Sequence, residues 1–284
     1  METGLGLPNT IANLKGEILL EWMRCAEEGP FSSVAVLDRV LYDSYDPMAT
    51  LAAAAAVTRR VRLATMIVIG PLRNTTILGK TASTIHALSG GRFTLGIALG
   101  ARQDDYDATG TPYHTRGKRL NEQLHDLRAQ WDGGRGLPDQ IGPRTETPPE
   151  LIVGGLSDVT FGRVARYADG YMHNGGPAHI FARMAAKALA AWEDYGRPGK
   201  PRLVGMAYFA LGDEETAEAG RDYLRDYYAF TGPFAERIAQ GLLTTPQAIV
   251  SFLRGYADAG CDELVLFPTS SEIEQLNKLA DVVG

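Results

Sequence analysis

The chain has 284 residues, a length that one α/β barrel of about 250 residues fills as a single unit. It carries 28 Lys and Arg against 34 Asp and Glu, and a net charge of −6 argues against nucleic-acid binding by phosphate neutralisation. Apolar residues at 45% supply a full core, and no run approaches the ~18 residues of a membrane span. Only Cys25 and Cys261 are present, too few for a disulfide scaffold or a thiolate metal cage. The opening Met1-Glu2-Thr3-Gly4 lacks the cationic start of a secretory signal, so the expected compartment is the cytoplasm, with neither nucleic acid nor membrane as partner.

Eight short apolar runs alternate with longer helical patterns. In chain order they are Gly4–Pro8, Ser33–Leu37, Val61–Ile69, Phe93–Leu99, Leu151–Gly154, Gly170–Met172, Leu203–Leu211 and Glu263–Phe267. They are rich in Val, Ile and Leu without strict polar alternation, as parallel strands covered on both faces are. Asp46-Pro47 before Met48–Thr58 and Thr245-Pro246 before Gln247–Ala259 pair an N-cap acceptor with Pro at the first helical position, and Gly260 closes the second helix. Trp131–Glu150 holds four Gly and four Pro and reads as a long loop able to cover a site. Asp213–Gln240 and the helix after it place two helical stretches between the last two strands. This order predicts a (β/α)8 barrel formed by residues 1–284 as a single domain, with a doubly wound open sheet as the alternative.

Chemistry in such a barrel belongs at the carboxyl ends of the strands. Asp38-Arg39 follows the second strand, Arg73-Asn74 the third, and Arg102-Gln103-Asp104-Asp105-Tyr106 the fourth. The fifth ends in Gly154-Gly155-Leu156-Ser157 and the sixth in His173-Asn174-Gly175-Gly176, each before a helix. Glycine admits a ligand close to the backbone and a helix start offers free N–H groups, so two adjacent Gly-Gly corners make an anion cradle without lysine. Asp104, Asp105 and Asp107 have no His or Glu spaced to complete a metal shell, and read as a solvated acidic turn or helix start; no metal is expected. His86 and His125 lie in helical patterns as packing or surface residues, His114 sits in a turn, and His173 is the best placed of the five histidines. No Gly-x-Ser-x-Gly elbow, phosphate-loop Gly-Lys-Ser/Thr or His-Glu-x-x-His is present.

Three blocks resemble the bacterial luciferase-like family of flavin- or deazaflavin-dependent oxidoreductases. They are Val61–Thr65 leading through Pro71-Leu72-Arg73-Asn74 to Lys80, Leu88–Gly100 with Asp104-Asp105-Tyr106 and Gly110, and Ile152–Gly155 with Ala168-Asp169-Gly170-Tyr171. The resemblance spans nearly the whole chain and implies the barrel already read from the strands. It also implies FMN or coenzyme F420 at the carboxyl face, with phosphate at the loops carrying Gly154-Gly155 and Gly175-Gly176. A non-prolyl cis peptide in the third strand is implied at Met66–Ile67, under the ring.

Two positions depart from the deazaflavin members. Arg39 stands where they usually carry His, and Ala101 where some carry an acidic residue. The favoured expectation is a monooxygenase using O2 and reduced FMN, supplied by a flavin reductase, on a small organic substrate. An F420-dependent hydride transferase and a non-catalytic flavin-binding subunit are the alternatives, and a phosphosugar-isomerase-like barrel is a distant fourth. Arg39 or Arg73 would stabilise charge at the ring edge, with Asp38 orienting Arg39. Met66, Ile67 and Val68 would form an apolar floor, and His173 or Tyr106 would donate protons. The Ala52–Ala56 run fits close helix packing, onto the barrel itself or, as the resemblance allows, against a second copy in a homodimer.

Overall fold

In the computed structural model, which describes residues 1–131 and 141–284, the chain forms a closed parallel barrel ringed by helices. The strands are β1 (Glu2–Gly6), β2 (Ser33–Val36), β3 (Arg62–Thr65), β4 (Val68–Ile69), β5 (Phe93–Ala98), β6 (Glu150–Gly154), β7 (Gly170–Met172), β8 (Arg202–Phe209) and β9 (Glu263–Pro268). The helices are α1 (Gly16–Glu28), α2 (Pro47–Val57), α3 (Thr75–Leu88), α4 (Gln103–Ala108), α5 (Arg116–Trp131), α6 (Asp158–Tyr167), α7 (Ala178–Asp194), α8 (Glu214–Tyr227), α9 (Phe234–Ala239), α10 (Pro246–Asp258) and α11 (Ile273–Val283). The sheet runs β3-β2-β1-β9-β8-β7-β6-β5-β4 and closes through β3 on β5. The (β/α)8 expectation is met, and an open doubly wound sheet is excluded.

Two expectations are corrected. The run Val61–Ile69 is not one strand but β3 and β4, which together form the third stave; the Met66–Ile67 peptide between them is cis, as the resemblance implied. A side chain takes over the ladder there: Thr65 Oγ1 donates to the Gly96 carbonyl at 2.7 Å and accepts its N–H at 2.9 Å. Residue 96 has to be glycine, because a Cβ would lie 2.1 Å from the Thr65 carbonyl oxygen. The stretch Asp213–Gln240 is not one helix either. Gly232, at φ +59°, and Pro233 break it into α8 and α9, so three helices separate β8 from β9. Part of the expected Trp131–Glu150 loop lies outside the described residues; 141–149 carries no helix or strand.

The expected caps are present. Asp46 accepts from Met48 N–H and Ala49 N–H, both at 2.9 Å, and Thr245 accepts from Ala248 N–H at 3.1 Å. Strand alternation divides the core in two. Tyr171, Val153, Leu203 and Leu266 face the helices, whereas Ile152, Met172, Val204, Met206 and Val265 fill the barrel.

The amino end of the barrel is plugged by charge rather than by apolar layers. Buried Glu263 accepts from both Ser32 and Ser33 hydroxyls and pairs with Arg202 and Arg62, which in turn hold Glu150 and Glu2. Burial alone would raise the Glu263 carboxyl pKa, but the two guanidiniums and the serine hydroxyls together hold it below the usual carboxylate range. Above the plug sits a cavity of about 20 Å³. Glu263→Leu removes the buried carboxylate that the two arginines share, leaves the Ser32 and Ser33 hydroxyls without it, and is expected to cost about 3 kcal/mol of stability. Chemical denaturation at pH 7 reads this as a lowered midpoint; an unchanged midpoint would show the plug to be dispensable.

Candidate functional site

The register of the sheet decides where the glycine corners fall. In the β6–β7 ladder Gly154 pairs with Met172, so the two staves leave the sheet at the same height and on the same rim. Gly155 follows at φ +141°, and Gly175 and Gly176 at +94° and +102°. Neither α6 nor α7, which start just beyond these corners, has a side-chain N-cap, in contrast to α2, α3, α8 and α10. Their first-turn N–H groups therefore have no side-chain acceptor. The corners are not filled by their own side chains: Leu156 is 51% exposed, Ser157 and Asn174 are exposed, and a Cβ on Gly176 would meet nothing within 4 Å. The cis bulge adjoins this rim, because a Cβ on Gly154 would touch Ile67 at 3.5 Å. Met66 and Ile67 belong to the apolar cluster that fills the barrel.

The polar residues expected to act beside the bulge are differently placed. Asp38 does not orient Arg39. Its carboxylate accepts the Ile69 N–H at 2.9 Å and binds Arg73 at 3.1 Å, and Arg73 also pairs with the α2 cap Asp46 at 2.9 Å. Burial pushes the Asp38 pKa up, against the pull of Arg73 and the Ile69 N–H. Asn74 caps α3 by accepting from Ile77 N–H at 3.1 Å. Arg39 donates to the carbonyls of Tyr227 at 3.3 Å and Leu41 at 2.9 Å, and lies over the Tyr42 and Tyr227 rings. Asp104 and Asp105 stand in the first turn of α4, the helix start expected, but Asp105 is not solvated. It is 0% exposed, stands 3.8 Å from both Arg39 and Arg102, and accepts the Val40 and Leu41 N–H groups at 3.1 and 2.8 Å. It thereby joins the loop after β2 to α4.

Both expected proton donors are corrected. The Tyr106 hydroxyl is committed to the Leu99 carbonyl, and burial raises its pKa to about 12. His173 is 1% exposed and faces the helices, 5.8 Å from the Phe181 ring, because the Tyr171-Met172-His173 alternation sends only Met172 into the barrel. Tyr171 has one proton and gives it to the Gly155 carbonyl at 3.0 Å, so His173 Nδ1–H donates to Tyr171 at 3.2 Å. Its Nε2 then keeps a lone pair without a hydrogen-bond partner among the described residues. His173 thus supports the corners from behind. His86 packs beneath the Phe93 carbonyl and His125 lies on the surface, as expected, and His114 is exposed.

Sequence reasoning missed the wall of the mouth that adjoins the corner after β7. Val204, Met206 and Tyr208 share the inner face of β8, a period-two signal legible in the sequence. Tyr223 and Tyr227, one helical turn apart on α8, and Tyr228 complete an aromatic group with Tyr208.

The family model described as luciferase-like monooxygenase matches residues 7–261. The chain belongs to this family. An uncharacterized protein of Mycobacterium tuberculosis is 32% identical over 155 residues, 51% of this chain and 54% of that one. The pyrimidine monooxygenase RutA of Cronobacter sakazakii is 30% identical over 199 residues, 63% of this chain and 56% of its own. The chain spans about half the length of the curated relatives it matches. Among solved structures, monooxygenase RslO1 from Streptomyces bottropensis superposes with a TM-score of 0.83 at 19% identity, covering 99% of this chain and 97% of that one. An F420-dependent secondary alcohol dehydrogenase with an F420-acetone adduct gives 0.82 at 16%, covering 100% and 99%. The oxygenating constituent of Pseudomonas putida 3,6-diketocamphane monooxygenase, with FMN, gives 0.75 at 15%, covering 100% and 96%. At these identities the structures show a shared fold. Among the described residues no helix is long and apolar enough to cross a membrane.

Burial pushes the His173 pKa down to about 4, against an upward pull from the Gly175 backbone. Between pH 6.5 and 4 the unfolded chain takes up a proton that the folded chain refuses, so this residue's contribution is intact above pH 6.5 and is lost on acidification. The full loss amounts to about 3 kcal/mol. Denaturant unfolding at pH 7 and pH 5 is expected to show a smaller difference for His173→Gln than for the parent chain; identical differences would mean that His173 titrates normally.

Proposed function

We propose that this chain is an oxidoreductase that binds FMN or F420 at the carboxyl rim, and that it works as a flavin monooxygenase on a small organic substrate. The observation that carries this reading is the pair of glycine corners on adjacent staves, level with each other and next to the bulge. They fit the phosphate end of either cofactor, since main-chain N–H groups and helix starts bind an anion without a dedicated cation. Met66, Ile67 and Met172 would support the ring from inside the barrel. When bound, the reduced cofactor supplies electrons to oxygen or a hydride to the substrate.

The chain's own residues hold this rim in shape. Tyr171 and His173 brace the fifth and sixth corners, while Asp38 and Arg73 fix the end of β4. The apolar lining keeps water from the reacting face. Arg39, in the place of the histidine usual in deazaflavin members, donates through Nη1 and Nη2 to backbone carbonyls and pairs with Asp105, a loop-ordering role that favours the oxygen-dependent reading over hydride transfer. A separate flavin reductase would supply the reduced cofactor.

Titration with FMN and with F420, followed by turnover with and without oxygen, tests the reading. Micromolar binding of FMN and oxygen-dependent product formation are expected; tight F420 binding with anaerobic turnover would reassign the chain to hydride transfer, and millimolar or weaker binding of both would contradict the proposal. Gly176→Asp places a carboxylate in open space at the corner and is expected to weaken binding roughly tenfold or more. Unaltered affinity in that variant, with circular dichroism unchanged, would remove the phosphate from this corner.

A further inference from the structure

The wall of the mouth next to the glycine corners, on the β8 side, carries hydrogen-bonding capacity that the described residues do not use. Tyr208, at the top of the inner face of β8 and 7% exposed, meets Tyr228 hydroxyl to hydroxyl at 2.8 Å. Two phenols bring two protons, and one bond uses one of them. No other partner of either oxygen exists among the described residues, so whichever phenol donates, one O–H is left over. The same holds beside it, where Thr10 Oγ1 and Tyr223 Oη share a single bond at 2.7 Å. Thr10 is buried, and Tyr223 stacks on Tyr227 with ring centroids 5.8 Å apart.

The surroundings of these two pairs narrow what completes them. Tyr208 lies 6.0 Å from the Phe267 ring and shares one apolar cluster with Met66, Ile67, Met172 and Met206. Burial keeps the Tyr208 and Tyr228 phenols protonated well past neutrality, so they act as donors. The nearby cation, Arg39, already has two backbone carbonyls, Asp105 and two aromatic faces around it. With buried Asp105 beside it, Arg39 brings no net positive charge to an anionic substrate. A pure hydrocarbon leaves buried donors unpaired, at about 1–3 kcal/mol each.

We infer that the Tyr208–Tyr228 and Thr10–Tyr223 hydroxyl pairs are substrate-binding donors, and that the substrate is a neutral, planar molecule carrying ring carbonyl oxygens. This rests on the reading that a flavin-type cofactor occupies the bulge side of the same mouth. The aromatic wall supplies contact area for a flat ring, and the leftover protons select for carbonyl acceptors over their deoxy counterparts.

The test uses 1-indanone and indane as probes that differ by one carbonyl. Calorimetric titration of the protein saturated with oxidised FMN or F420, whichever it holds, is expected to show indanone bound more tightly than indane. Removing one phenol of a pair leaves the other O–H free, so Tyr208→Phe and Tyr228→Phe singly retain most of this preference. The double variant loses it, by roughly tenfold in the indanone-to-indane ratio, while indane affinity stays unchanged. Thr10→Val with Tyr223→Phe lowers the ratio independently. An equal ratio in the parent and in both double variants, or no indanone binding at all, overturns the inference. Retained cofactor affinity shows that the double variants are folded. Should neither cofactor bind the parent chain, the cofactor reading fails, and the same titrations on the cofactor-free protein still decide the role of the hydroxyls.

Discussion

Everything at the carboxyl rim depends on how close main chain can come to main chain, and to a ligand, along three neighbouring staves. Thr65 and Gly96 meet through a side-chain oxygen standing in for a ladder partner, which is possible only because residue 96 has no Cβ. One stave further, Gly154 runs past Ile67, and one stave beyond that the chain turns through Gly175 and Gly176. The bulge and the two corners thus arrive on one rim, with Asp38 and Arg73 holding the end of β4 beside the bulge.

The mouth built on this frame is lopsided. Its β6–β7 side carries the glycine corners above Ile152 and Met172; its β8–β9 side is closed by Tyr208, Phe267 and the tyrosines of α8. The break at Gly232-Pro233 matters here, because it lets α9 turn back so that Ala239 and Leu242 join the cluster that seals this side. Asp105 between Arg39 and Arg102 ties the loop after β2 to α4, and Arg39 carries the link on to the end of α8. Three loops from different staves thus share one buried ion cluster. Such clusters add little net stability and serve to fix geometry.

Much of this was legible in the sequence. The eight staves followed from apolar runs without alternation, and the caps at Asp46 and Thr245 from side-chain chemistry alone. The paired corners followed from two Gly-Gly steps at consecutive strand ends. What escaped were facts of orientation. His173 stands at a strand end, where a proton donor is expected, yet a single step of alternation turns it towards Phe181. Asp38 and Arg39 are neighbours in sequence but point to opposite sides, one to Arg73 and the other to Asp105 and Tyr227. The tyrosine wall needed the long-range contact between β8 and α8, which no local pattern encodes, although the inner-face period of Val204, Met206 and Tyr208 offered half of it.

The central claim is that main-chain groups at the corners after β6 and β7 grip a phosphate. The most direct measurement compares FMN with riboflavin, and F420 with its phosphate-free deazaflavin core, by calorimetry at fixed salt. Because the rings are identical within each pair, the account predicts a loss of at least about a hundredfold in affinity when the phosphate is removed. Equal affinities with and without phosphate would contradict it.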